Sequence, residues 1–132
     1  MKKGFSLLEL IFAIVVIGII ASFAIPKYMD TRDSAQASTI QRDLVTATSS
    51  IQSYYLVNRS ITNISDAVTV NTNNWTIDST NTKKMTFQDA DTTCVTFEVK
   101  TDEISITVAT STTGVCKALN DMKVTSQTID LI

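Results

Sequence analysis

The chain has 132 residues with 11 Lys/Arg, 13 Asp/Glu, two cysteines, three glycines and no histidine, a formal charge of −2. Without histidine there is no Ser/His/Asp or Cys/His nucleophile system, and glycines at positions 4, 18 and 114 alone leave no phosphate-cradling loop. The length suits one small domain, and the charge offers no basic stripe, so no nucleic-acid partner is indicated.

The first element is apolar. In "MKKGFSLLELIFAIVVIGIIASFAIP", residues Leu7 to Ile25 form a run of 19 interrupted only by Glu9, Gly18 and small residues. As a helix at ~1.5 Å per residue it covers roughly 28 Å, close to the hydrocarbon thickness of a bilayer. It is apolar on all faces, which suits lipid better than the one-sided core of a soluble domain. A carboxylate there is costly alone and tolerable when paired or hydrogen-bonded. "SLLE" has the spacing of a capping box, with Ser6 as N-cap and Glu9 three residues on. Gly18 and Pro26 bracket a weak stretch. Pro26 lacks an N–H and frees the Ser22 carbonyl, and back-bonding of Ser22 to Gly18 is expected to compensate in part.

Three functions are open to this segment. It can be a removable secretory signal, with Lys2 and Lys3 as its basic end and Ser22-Phe23-Ala24 as the cut site. It can be a plain anchor, whose orientation the flanking charges leave ambiguous. The third reading comes from resemblance. "KGFSLLELIFAIVVIGIIASFAIPKY" resembles the N-terminus of type IV prepilins and the related pseudopilins, strongly over the first thirty residues or so and only in outline beyond. "FSLLEL" varies the commoner Thr-Leu-Ile-Glu spelling conservatively.

That resemblance implies a leader, residues 1–4, removed by a prepilin peptidase between Gly4 and Phe5, and N-methylation of Phe5. It implies an assembly role for Glu9, helix-weakening roles for Gly18 and Pro26, and a transmembrane and assembly segment over 5–26. The Phe5 amine of the same chain or of a neighbour would pair with Glu9, so that a subunit out of register leaves a charge unpaired. The implied partners are copies of the chain in a helical filament, the peptidase/methyltransferase, an inner-membrane assembly platform and the membrane before assembly.

After Pro26 the text turns polar. Ala37, Ile40, Leu44, Ala47, Ile51 and Tyr54 or Tyr55 step by three and four, which predicts that the helix continues to about Asn58 with one apolar stripe. Residues 27–58 are thus an amphipathic half. The Ser/Thr-rich "TATSS" lowers helix propensity, so packing must supply the stability.

Residues 59–132 read as a β-sheet head. "AVTV", "WTI" and "KMTFQ" are short strands or connecting loop, with turns at "NTNNW" and "DSTNT". "CVTFEVK" and "EISITVA" alternate. Pairing Lys100 with Glu103 aligns Val99 with Ile104, Phe97 with Ile106 and Val95 with Val108, all on one face. That face should lie on the Ile40–Ile51 stripe, giving an α+β head. "KVTSQTIDLI" adds a further strand or covers an edge.

Cys94 opens a strand on the parity opposite Val95, and Cys116 follows the "STTG" turn. An oxidised pair would enclose 21 residues and contribute roughly 3 kcal/mol; it resembles the C-terminal disulfide loop of type IVa pilins. Two free buried thiols are the alternative. Asp89 and Asp91, or Asp102 with Glu103, are weak calcium candidates and otherwise turn residues. The Asp-Pro-Trp-Gly-like calcium loop of the main type II secretion pseudopilin is missing, since Trp75 sits in "NNWTID".

The sequence therefore leads to a non-enzymatic, cofactor-free structural subunit of a type IV pilus-like filament, held in the bacterial inner membrane and then moved to an extracellular pilus or periplasmic pseudopilus. A pseudopilin of a type II secretion or DNA-uptake system is the alternative. A signal-anchored periplasmic binding module is the alternative from another class.

Overall fold

In the computed structural model, which describes residues 4–132, the apolar run and the polar stripe form one helix, α1 (Leu7–Asn58). Leader residues Lys2 and Lys3 lie outside the described residues. The helix ends at the residue the periodicity gives, and Arg59 closes it in a left-handed turn, its N–H donating to the Tyr55 carbonyl at 2.8 Å. "TATSS" stays helical with Ala47 buried in the core, and hydroxyls elsewhere along α1 bond back to the helix. The hydroxyls of Thr31, Ser38, Thr39 and Ser53 each donate to the carbonyl four residues earlier, so side chains that compete with the backbone elsewhere are satisfied within the helix.

The chain divides into two compact units, residues 1–32 and 33–132. In the first, the described residues are the short non-helical stretch 4–6 and the start of α1, helical through both Gly18 and Pro26. Ser22 does not bond back to Gly18 as expected; its hydroxyl donates to the Ile19 carbonyl at 2.7 Å, the three-residue alternative of the same back-bonding geometry.

The second unit is α+β: the rest of α1 packs on an open antiparallel sheet of five strands in sequential order, β1 (Trp75–Ile77), β2 (Lys84–Asp89), β3 (Thr92–Val99), β4 (Glu103–Val108) and β5 (Gln127–Asp130). The β3–β4 register is Val99↔Ile104, Phe97↔Ile106 and Val95↔Val108, as the alternation requires. Lys100 and Glu103 close its turn through a backbone bond of 2.8 Å and an ion pair of 3.1 Å. The five stripe residues Ala37, Ile40, Leu44, Ala47 and Ile51 are all buried, in one core with Val95, Phe97, Ile104 and Ile106. Tyr54 and Tyr55 are half-buried against it.

Of the two readings open to "AVTV", the connecting loop is found: it follows a single 3₁₀ turn (Ile64–Asp66) as irregular chain. One part differs from expectation. The region after "STTG" is not simple turn but a short helix, α2 (Gly114–Asp121), whose Val115, Cys116 and Leu119 are buried. Cys94 is bonded to Cys116, so it is buried beside Val95 despite its opposite parity.

Candidate functional site

The first turn of α1 is built by its own sequence. Ser6 precedes the helix, and its backbone N–H donates to Glu9 Oε2 at 2.7 Å while the Glu9 N–H donates to Ser6 Oγ at 3.2 Å. This is the capping box that "SLLE" encodes: two orphan N–H donors are satisfied and a negative charge sits at the positive end of the helix. A carboxylate has about four lone-pair directions, so the single bond from Ser6 leaves Glu9 able to accept from a cation.

Gly4 lies in non-helical chain with open space where a β-carbon would stand, and Phe5 is 91% exposed. Beyond Glu9 every residue to Ile20 is exposed, large apolar ones included. Gly18 likewise faces open space. A surface of this kind is unstable in water and demands lipid or other protein around it. Among the described residues, α1 contains the one helix long and apolar enough to cross a membrane.

Among the described residues, the one group of three potential metal ligands holds Asp89 but none of Asp91, Asp102 and Glu103. Asp89, at the end of β2, accepts the N–H of Val115 at 2.8 Å and so caps α2. Its carboxylate oxygen lies within 4.8 Å of the Cys94 and Cys116 sulfurs, but those sulfurs are bonded to each other and are not thiolates. Asp91 is exposed in the turn after Ala90, which has a φ of 54°.

Two contacts that position the head were not singled out in the sequence. Trp75 Nε1 donates to Asp43 Oδ2 at 2.8 Å, tying β1 to α1. Gly114 has a φ of 69°, and a β-carbon on it would collide with the Asp89 carboxylate. The second had a signal, a glycine two residues before a cysteine; the first joins residues 32 apart and had none.

Residues 1–25 match the family described as the prokaryotic N-terminal methylation motif. The N-terminal segment is thus similar to a methylation motif. Over 57 residues, 43% of this chain, it is 37% identical to the type II secretion system core protein G of Klebsiella michiganensis, covering 40% of that protein. With the protein of the same name from Klebsiella pneumoniae it is 33% identical over 57 residues, covering 41% of that protein. With that from Pectobacterium carotovorum subsp. carotovorum it is 33% identical over 57 residues, covering 36%. The chain thus spans about two-fifths of the length of the curated relatives it matches. No solved structure matches it.

Proposed function

We propose that this chain is a structural subunit of a type IV pilus-like filament, cut between Gly4 and Phe5, methylated on Phe5, and polymerised through the apolar part of α1. The observation that carries this reading is the all-round apolar start of α1, within the residues that match the methylation motif and opened by the Ser6–Glu9 capping box. Such a helix is stable in lipid, and equally stable against copies of itself once the protein atoms replace the lipid.

Glu9 supplies the register. In apolar surroundings its charge requires a cation, and cleavage after Gly4 creates one on Phe5, in the same chain and in every neighbour. A mis-stepped subunit leaves both charges unpaired, which costs several kcal/mol. The partners of this reading are further copies of the chain, a prepilin peptidase/methyltransferase and an inner-membrane assembly platform. Its sites are the inner membrane before assembly and the extracellular pilus after it. Gly18 and Pro26 are where the assembled helix would loosen. No enzymatic role is proposed; the proteins it resembles are structural.

A second reading, a pseudopilin of a type II secretion system, is favoured by the similarity to type II secretion system core protein G. Purified surface fibres decide between the two. Fibres composed mainly of this chain support the pilus. Absence of such fibres, together with loss of protein secretion when the chain is deleted, supports the pseudopilus. A mature chain found dissolved without its apolar helix contradicts both.

A further inference from the structure

Residues 33–132 hold seven Lys/Arg against eleven Asp/Glu, yet three of the seven cations line one cleft. Arg59, Lys83 and Lys100 surround a cavity of about 190 Å³ with Tyr55, Ser60 and Thr101, and no acidic residue lines it. Like charges drawn together on an acidic domain repel one another unless an anion lies between them.

Two further observations point the same way. Lys83 is half-buried, and among the described residues it has no acidic partner within 4.0 Å; Arg59 has none either. Only Lys100 is paired, with Glu103 at 3.1 Å. Arg59 also occupies the left-handed turn after α1 with a φ of 59°, where glycine or asparagine is the low-cost choice. An arginine there adds a cation to the lining of the cleft at a backbone position that favours other residues.

We propose that this cleft binds a phosphate dianion, free or as a monoester. Two uncompensated cations match a charge near −2 at neutral pH, guanidinium and ammonium suit phosphate oxygens, and Ser60 and Thr101 offer hydroxyl donors. Tyr55 offers an apolar wall to an ester's carbon skeleton. The inference does not depend on the filament reading.

The test is an amide NMR titration of the full chain in detergent micelles, at constant ionic strength, with inorganic phosphate, glucose 6-phosphate and acetate. Saturable shifts confined to Arg59, Ser60, Lys83, Lys100 and Thr101 are expected with both phosphates, with acetate at least tenfold weaker. Equal affinity for the two phosphates assigns the site to the free ion, and tighter glucose 6-phosphate assigns it to a sugar ester. Arg59→Gly relieves the left-handed backbone, so the fold is retained while phosphate affinity falls about tenfold. Shifts spread equally over Lys117 and Lys123, affinity unchanged in Arg59→Gly, or acetate bound as tightly as phosphate would each overturn the proposal.

Discussion

Ser6 and Glu9 hold each other twice, through Ser6 N–H to Glu9 Oε2 and Glu9 N–H to Ser6 Oγ, at 2.7 and 3.2 Å. The misplaced carboxylate of the apolar segment is therefore useful to its own helix before any neighbour arrives. Its local role needs an acceptor; its proposed role between subunits needs a charge.

Glu9→Gln separates these roles. Glutamine at the third helical position still accepts from the Ser6 N–H but cannot neutralise the Phe5 amine. The variant should enter the membrane normally and assemble poorly, and Glu9→Lys should not assemble at all. Fibre yield against membrane-fraction abundance reads this out; normal fibres from Glu9→Gln would mean that the cap is the whole role.

Trp75 is 2% exposed and its indole N–H has one acceptor, Asp43. Asp43→Ala leaves that donor unsatisfied beside the core and should destabilise the head by about 1–3 kcal/mol. Asp43→Asn, which keeps an acceptor oxygen, should lose less. Thermal unfolding followed by Trp fluorescence distinguishes the two.

Gly114 meets two demands at once, a φ of 69° and close approach of the Asp89 carboxylate. Gly114→Ala should cost more than about 1 kcal/mol, because the backbone is strained and Asp89 must leave the Val115 N–H. Asp89→Ala should cost about 1 kcal/mol by loss of the cap alone. Because both substitutions disturb one contact, the double variant should be less destabilised than the sum of the singles, which denaturant unfolding can check.

Asp78 accepts from the Thr80 hydroxyl at 2.7 Å, the Thr80 N–H at 2.8 Å and the Asn81 N–H at 3.2 Å. The Thr80 hydroxyl first, then these backbone bonds, hold its carboxyl below the ordinary carboxylate value. A lowered folded-state pKa gives stability that is present above the unfolded value and is lost as pH falls through the folded one. Asp78→Asn should therefore melt below the parent at pH 7, and the two should converge below about pH 4. A gap unchanged down to pH 2 would show that the turn does not depend on the charge.

Much of the head was legible because its signals are local and repeated. The β3–β4 register follows from three apolar pairs and one Lys/Glu closure, and a one-residue slip would turn every pair outward. The stripe from Ala37 to Ile51 was equally plain, each residue stepping onto the same face. α2 was not legible. Its eight residues give barely two turns of periodicity, and what fixes it, the bond to Cys94 and the cap from Asp89, comes from chain some twenty residues earlier. "AVTV" had letters that suit a strand or a loop, and nothing local chose between them; strand β1 begins at Trp75. At the candidate site the capping box was spelled out in four consecutive letters. The partner proposed for Glu9, an amine that cleavage would create on this chain or on a neighbouring copy, is nothing an uncut single chain could display.

The central claim is that cleavage after Gly4 creates the amine that Glu9 requires. Intact mass of the membrane-associated or fibre-borne protein tests it most directly. A chain that has lost Met1 to Gly4 and gained one methyl group on Phe5 is the predicted result. A chain beginning at Ile25, with the apolar helix discarded, would contradict it.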